Sequence, residues 1–310
     1  MKPAITLILS WALSLCLSAD PFKWEPVQIN DTSYISFQQL NEFYKLSEKE
    51  RAGDKITLEN QRAQIKFIIG SQEFTINGVK IFLSEPIRER DGAAHLSQLD
   101  LSSLLDPILG PTHIKNAKPF NTIILDPGHG GEDKGAANLE AQHTLAIIKK
   151  TRSLLTKKGF RVILTRTDDT NIPLEERVKI ANQETHAILI SLHFNSGDKS
   201  AHGMETYIIS AKEPHATGAS SAALATAIHS RCLLYFNNKQ HGHELGIEDR
   251  GIRHAKFRLL KDSQNPAILI EAGFLTNTEE TAKIQTQDYQ NTLAQSLVRG
   301  IQFYRTAIKK

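Results

Sequence analysis

The stretch Ile124–Ala136 reads ILDPGHGGEDKGA, and the fold of the larger part of the chain follows from how it is read. It continues a short apolar run, NTIIL, that stops at Asp126-Pro127. His129 then stands among Gly128, Gly130 and Gly131. Glycine in a loop carries a conformational cost. Three of them around one imidazole imply a backbone that turns sharply after a strand and leaves room for a bulky substrate beside the ring.

Downstream, strand-like and helix-like segments alternate. Ala141, Leu145, Ile148 and Leu155 mark one face of a helix, and RVILTR follows as a strand. LEERVKIANQE is a helix, and AILISLHF and METYIIS are strands. A helix from about Ala219 to Phe236, the strand AILIEAGF, and a closing helix carrying Leu293, Leu297, Ile301, Tyr304 and Ile308 complete the series. Apolar strands alternating with amphipathic helices predict an α/β fold, a twisted, mostly parallel sheet with helices on both faces. Such sheets bind ligands at the carboxyl ends of their strands.

That rule selects His129 after the first strand, His193 at the end of AILISLH and Glu271 in AILIE. Glu140 opens the helix after the glycine loop and reaches the same edge. Two imidazoles and a carboxylate are a ligand set for Zn2+ that leaves one position open for water. A metal there makes hydroxide accessible near neutral pH. A second carboxylate must then move the proton, and Glu271 suits that task. Asp126 either orients His129 or caps the loop. The chain has 12 histidines, so His143, His241, His243 and His254 are also weighed. His143 is a rival ligand one helical turn after Glu140, and His254 a candidate cleft residue. For all four a structural role is the simpler reading.

The flanking sequence is of a different kind. Lys2 and the apolar run AITLILSWALSLCLSA predict a secretory signal over residues 1–19, too short for a comfortable membrane span. Its removal takes Cys16 away and leaves Cys232 alone, so no internal disulfide is expected and Cys232 is read as buried packing. Residues 20–114 predict a small α+β domain with strands in KITLEN, AQIKFII and QEFTING and an Asn-Gly hairpin turn. SYISFQQLNEFYKL and AAHLSQLDLSSLLDPIL echo each other as an extended entry followed by a helix. That layout resembles the stalk-like, copper amine oxidase N-terminal-type domains, without a metal-ligand cluster that would imply copper. Residues 115–120 form a linker before the α/β domain, 121–310. A formal net charge of +3 and the lack of a nucleic-acid motif exclude DNA or RNA as an expected partner.

From Asn121 to Lys310 the blocks ILDPGHGGEDKGA, LEAQHTLAIIKKTRSLL, FRVILTRTDDTNIPLEERVKIAN, ILISLHFNS, GMETYIIS and DRGIRHAKFRLLKDSQNPAILIEAGFLTNTEE occur in order. Together they resemble the zinc-dependent N-acetylmuramoyl-L-alanine amidases of type 3. The resemblance implies His129, Glu140 and His193 as zinc ligands and Glu271 as the catalytic glutamate. Leu139 departs from the polar residue that often precedes the family's glutamate ligand, which keeps His143 in view. The implied substrate is peptidoglycan, cut between N-acetylmuramic acid and the first L-alanine of the stem peptide. Arg250 and Arg253 in DRGIR, and Asn195 in SLHFNS, are candidates for substrate binding. Some relatives carry a long inhibitory helix between METYIIS and DRGI. Here that interval is only about forty residues, so no large insert is expected. The signal and the wall substrate imply a periplasmic or secreted protein of a bacterial envelope, with no membrane span once the signal is removed and an envelope activator as a candidate partner. A zinc peptidase acting within the stem, or a non-catalytic wall-binding protein on the same fold, are the competing readings.

Overall fold

The computed structural model of the chain describes residues 22–115, 117–238 and 245–309. The expected signal with Cys16, and His241 and His243, lie outside the described residues.

The amino-terminal unit is built from short alternating strands. Its elements are β1 (Val27–Ile29), β2 (Thr32–Ser36), α1 (Phe37–Tyr44), β3 (Ser47–Ala52), β4 (Lys55–Glu59), β5 (Gln64–Ile68), β6 (Glu73–Ile76), β7 (Val79–Phe82), β8 (Arg88–Arg90) and β9 (Ala93–Ser97). Two short helices, α2 (Gln98–Asp100) and α3 (Asp106–Leu109), follow, joined by a π-helical stretch over Leu101–Leu105. Strand β5 shows the governing pattern, with Ile65 and Phe67 buried and Gln64, Lys66 and Ile68 exposed. Asn77 and Gly78, at φ 50° and 82°, make the tight turn between β6 and β7. The sequence echo has a structural counterpart. Strands β2 and β9 pair antiparallel, and each runs into a helix capped by a serine. The hydroxyl of Ser36 accepts from the amide of Gln39, and that of Ser97 from Asp100.

The larger unit holds β10 (Thr122–Pro127), α4 (Glu140–Thr156), β11 (Arg161–Leu164), α5 (Leu174–Asn182), β12 (Ala187–Asn195), β13 (Met204–Ile209) and α6 (Gly218–Phe236). It continues with β14 (Asp249–Ala255), α7 (Arg258–Asp262), β15 (Ala267–Phe274), α8 (Thr278–Ile284) and α9 (Gln287–Ala307). Its strands lie in the order β11-β10-β12-β15-β13-β14. Every neighbouring pair is parallel except β13 with β15. The sheet does not end there. Strand β7 pairs with β14 through Ile81 and Ile252, so one twisted sheet of 11 strands runs through both units. The two units are therefore joined by strand pairing as well as by the chain.

The two faces of the larger unit's sheet are covered unequally. Ile123, Leu125, Ile188, Ile190, Leu192, Ile268 and Ile270 belong to the main core with residues of α4, α6 and α9. Helix α6 is buried almost all round, which its run of Ala, Ser and Ile allows. Cys232 lies there with no exposure, its Sγ 3.3 Å from the Ser296 hydroxyl, and burial pushes its thiol up to about 12. The opposite face holds a small cluster of Ile124, Ala187, Leu189, Ala267 and Leu269 under Ala181 of α5 and Leu259 and Leu260 of α7. Along each strand of that face, apolar residues give way to Ser191 and His193, to Glu271, and to Glu205. That change of character positions the site. Between Ile209 and Asp249 the only helix among the described residues is α6.

Helix α9 crosses α6 at Gly300, where a Cβ would stand 2.6 Å from the Cα of Ile228. Gly300→Ala gains about 1 kcal/mol of helix propensity but forces two helices apart. We expect a net loss of about 1–2 kcal/mol in urea unfolding.

Candidate metal and acid–base centre

Three elements converge at the carboxyl ends of β10 and β12. His129 sits just past β10 at φ 58°, a left-handed conformation that is uncommon outside glycine. His193 is the seventh residue of β12, and Glu140 is the first residue of α4. Glu140 is 2 % exposed and uses both carboxylate oxygens. Its Oε2 lies 3.1 Å from His129 Nε2, and its Oε1 2.9 Å from His193 Nδ1. The Ala136 amide donates to Oε2 and the Phe194 amide to Oε1. The two imidazoles stand 5.0 Å apart at 77°. One donor atom from each of the three residues falls within 4.8 Å of the others, the spacing of ligands around a single ion.

The glycines serve this convergence. A Cβ on Gly128 would lie 2.4 Å from the His193 ring, and one on Gly135 2.4 Å from the Glu140 carboxylate. At Gly128 and Gly135 those side chains fill the space beside the loop, whereas Gly130 and Gly131 lie against Thr170 and Asn171.

Asp133 settles the question about Asp126. Its Oδ2 lies 2.8 Å from His129 Nδ1, so it orients the ring and leaves Nε2 toward Glu140. Asp126 is buried elsewhere. Arg177, Ser191 and Thr165 donate to its carboxylate. Burial opposes its ionisation, but those three partners outweigh it and hold the carboxyl below its usual range. Arg177 also donates to the carbonyls of Pro127, His129 and Ile172. Arg166 donates to those of Pro127, Gly128 and Ala141. Two buried guanidiniums thus hold the turn that presents His129.

The three side chains lean on one another. Hydrogen bonding to Glu140, and to a lesser extent to Asp133, raises His129 to about 9 against the opposing effect of burial. Glu140 is driven well below the carboxylate range, because the two imidazoles overcome its burial. Glu271 is the register partner of His193 on the adjacent strand and shares its face. Burial pushes its carboxyl up to about 7, with Glu140 and Glu205 adding to the rise and His193 opposing it. Its Oε2 is buried without a hydrogen-bond partner. A polar atom so placed calls for a partner the protein itself does not supply.

A family model for N-acetylmuramoyl-L-alanine amidases (Amidase_3) matches residues 123–303. The chain belongs to this amidase family. It is 35% identical over 186 residues to the uncharacterised protein YqiI of Bacillus subtilis, covering 59% of this chain and 84% of that one. It is 32% identical over 197 residues to the B. subtilis N-acetylmuramoyl-L-alanine amidase LytC, covering 62% of this chain but only 37% of LytC. Among solved structures it is similar to an N-acetylmuramoyl-L-alanine amidase from Clostridium difficile 630, at 35% identity and a TM-score of 0.53, covering 60% of this chain and 97% of that one. The catalytic domain of CwlV, from Bacillus (Paenibacillus) polymyxa var. colistinus, matches at 32% identity and 0.53, covering 61% and 100%.

Beside the His129–Glu140–His193 cluster lies a second group that sequence reasoning had only in part. Glu205 is the register partner of Glu271 on one side and of Gly251 on the other. It is buried, and Arg250 Nε lies 2.6 Å from its carboxylate, Arg253 Nε 3.1 Å and the Tyr207 hydroxyl 2.8 Å. Asn195 Nδ2 approaches it at 3.4 Å, while Asn195 Oδ1 accepts from the Ser196 amide. Arg250, Arg253 and Asn195 are thus drawn together around Glu205. His143 stays outside the metal-ligand cluster. It is buried against Phe194, its Nε2 has no partner, and burial lowers its pKa. His254 follows Ile252 on the face of β14 opposite Arg253, with its Nδ1 3.4 Å from the Ile209 carbonyl, so it does not line the cleft.

Asp133, Arg166, Arg177 and Glu205 carried no assignment in the sequence. Arg177 had a signal, a charge on the inward stripe of α5 beside Val178 and Ala181. Arg177→Met leaves Asp126 buried without its cation and takes the arginine donor from the carbonyls of His129 and Ile172, while Pro127 keeps Arg166. The expected cost is about 3–5 kcal/mol in urea unfolding. Because Asp126 is depressed in the fold, the contribution of its ionised form is complete above the unfolded value near ~4 and drains only as pH falls below it. The difference between parent and variant should therefore persist at pH 6–8, roughly the neutral window, and shrink only in acid.

Proposed function

We propose that this amidase hydrolyses the amide between the lactyl group of N-acetylmuramic acid and the first L-alanine of the peptidoglycan stem, and that it does so with Zn2+ held by His129, Glu140 and His193. The observation that carries this reading is the pairing of that three-residue cluster with Glu271, a buried carboxyl whose Oε2 lacks a partner. The donor set of two nitrogens and a carboxylate fits zinc. When bound, the metal supplies a more acidic water and a polarised carbonyl.

The chain's own residues do the rest. Glu271 receives the proton of the attacking water and returns it to the alanine nitrogen as the C–N bond breaks. A carboxyl raised toward 7 serves both directions. Asp133 fixes the His129 ring, and Glu140 separates the two imidazoles. Arg250 and Arg253 turn toward the cleft from the adjoining strand and suit the carboxylates of a stem peptide. Asn195 lines the same corner. The amino-terminal unit serves as a stalk-like scaffold; its paired, serine-capped entries support that layout. The substrate places the protein outside the cytoplasm, periplasmic or secreted. No helix among the described residues is long and apolar enough to cross a membrane.

Glu271→Gln should lower turnover on purified peptidoglycan by about 10²–10⁴-fold while zinc content stays stoichiometric. Products are read by mass spectrometry. Released stems that begin with L-alanine support the amidase, whereas stems shortened from within support a zinc peptidase. No release, even with zinc restored after chelation, supports a non-catalytic wall-binding protein.

A further inference from the structure

The cleft face of the sheet does not stop at the amidase unit. His193, Glu271, Glu205 and Gly251 stand in register across β12, β15, β13 and β14. On β14, Ile252 pairs in parallel with Ile81 of β7. Gly251 and Arg253 therefore share a face with Lys80 and Phe82 of the amino-terminal unit.

Phe82 is out of place for a simple scaffold strand. In β7 the buried positions are Val79 and Ile81, and the alternation assigns Lys80 and Phe82 to the outer face. A phenylalanine there is only half-buried. Its ring lies under the guanidinium of Arg253, with 4.1 Å between the guanidinium carbon and the ring centroid. The junction is built around that contact. Gly251, at φ 95°, would bring a Cβ to 2.9 Å from the Phe82 ring and 3.1 Å from the Lys80 carbonyl. The Lys80 amide donates to Asp249 Oδ2 at 2.7 Å, which fixes β7 alongside β14.

Arg253 is thereby held on three sides. Its Nε lies 3.1 Å from Glu205 and 3.1 Å from the Arg250 carbonyl, and its flat face rests on Phe82. No acceptor among the described residues engages its terminal nitrogens. They form the fork that pairs with a carboxylate.

We propose that Phe82 is a positioning residue for Arg253, so that the amino-terminal unit forms one wall of the substrate cleft and sets its preference for a carboxylate-bearing stem. This rests on Arg253 being a substrate contact, as put forward above. A ring under a guanidinium lowers the freedom of a long side chain without competing for its hydrogen-bond donors.

The test uses the full chain and two soluble muropeptides, one with free stem carboxylates and one with those groups amidated. Arg253→Gln should raise KM for the carboxylate form by about tenfold or more relative to the amidated form, which reads any loss common to both substrates. Phe82→Leu, which keeps apolar bulk but loses the ring, should raise KM for the carboxylate form about three- to tenfold, with kcat unchanged and the amidated form unaffected. Phe82→Tyr should restore the parent value. If Phe82→Leu does not fold, Phe82→Met makes the same comparison. The proposal is overturned if Arg253→Gln shifts KM and loss of the Phe82 ring does not, or if the ring-less variant slows both substrates equally through kcat. If Arg253→Gln is also silent, the arginine subsite falls with it, while the Glu271→Gln result still judges the amidase reading separately.

Discussion

The Pro127–His129 turn is held by two buried guanidiniums, and the site depends on that grip. Arg166 and Arg177 donate to the carbonyls of Pro127, Gly128, His129 and Ala141. The carbonyls of Pro127 and His129 are satisfied by the arginines, and those of Gly128 and Ala141 by Arg166 together with the Thr144 hydroxyl. The same bonds keep His129 in a left-handed conformation that costs about 1–2 kcal/mol. Asp126 neutralises Arg177, and Ser191 and Thr165 complete its shell. Strands β10 and β12 and the start of α4 are thereby locked together where His129, His193 and Glu140 must meet.

Much of this was legible in the sequence because strand ends are legible. The apolar runs AILISLH and AILIE mark strands and put His193 and Glu271 at their carboxyl ends; the sheet adds that the two stand in register on adjacent parallel strands. Glu140 opens a helix whose apolar stripe is plain. What was not legible depends on contacts between distant segments. Asp133, four residues after His129, orients the imidazole, but only the turn geometry distinguishes it from Asp126. Glu205 reads as one polar residue in METYIIS. Its importance comes from the register that sets it between Glu271 and Gly251. The composition change near residue 115 separates two folding patterns, yet it hid the continuity of the sheet. A single parallel pairing, Ile81 with Ile252, has no local sequence signal.

Unequal covering of the sheet explains why the cleft lies where it does. The long helices α4, α6 and α9 seal one face with the main core. The short α5 and α7 shelter only the small cluster around Leu189 and Leu269. Beyond it the same face turns polar, and charges accumulate in a partly desolvated row. Glu271 rises because it is buried near two other carboxylates, Glu140 and Glu205. The arginines on β14 offset Glu205 and leave their terminal nitrogens toward solvent. Fold, charge and exposure thus point to one edge.

The central claim is that His129, Glu140 and His193 hold one metal ion together. X-ray absorption spectroscopy of the zinc-loaded protein tests it directly. The account predicts one zinc per chain, bound by two imidazole nitrogens and carboxylate or water oxygen at about 2.0–2.1 Å, with the imidazole signal reduced in His193→Ala. A zinc site with sulfur in its shell, or a spectrum unchanged by that substitution, would contradict it.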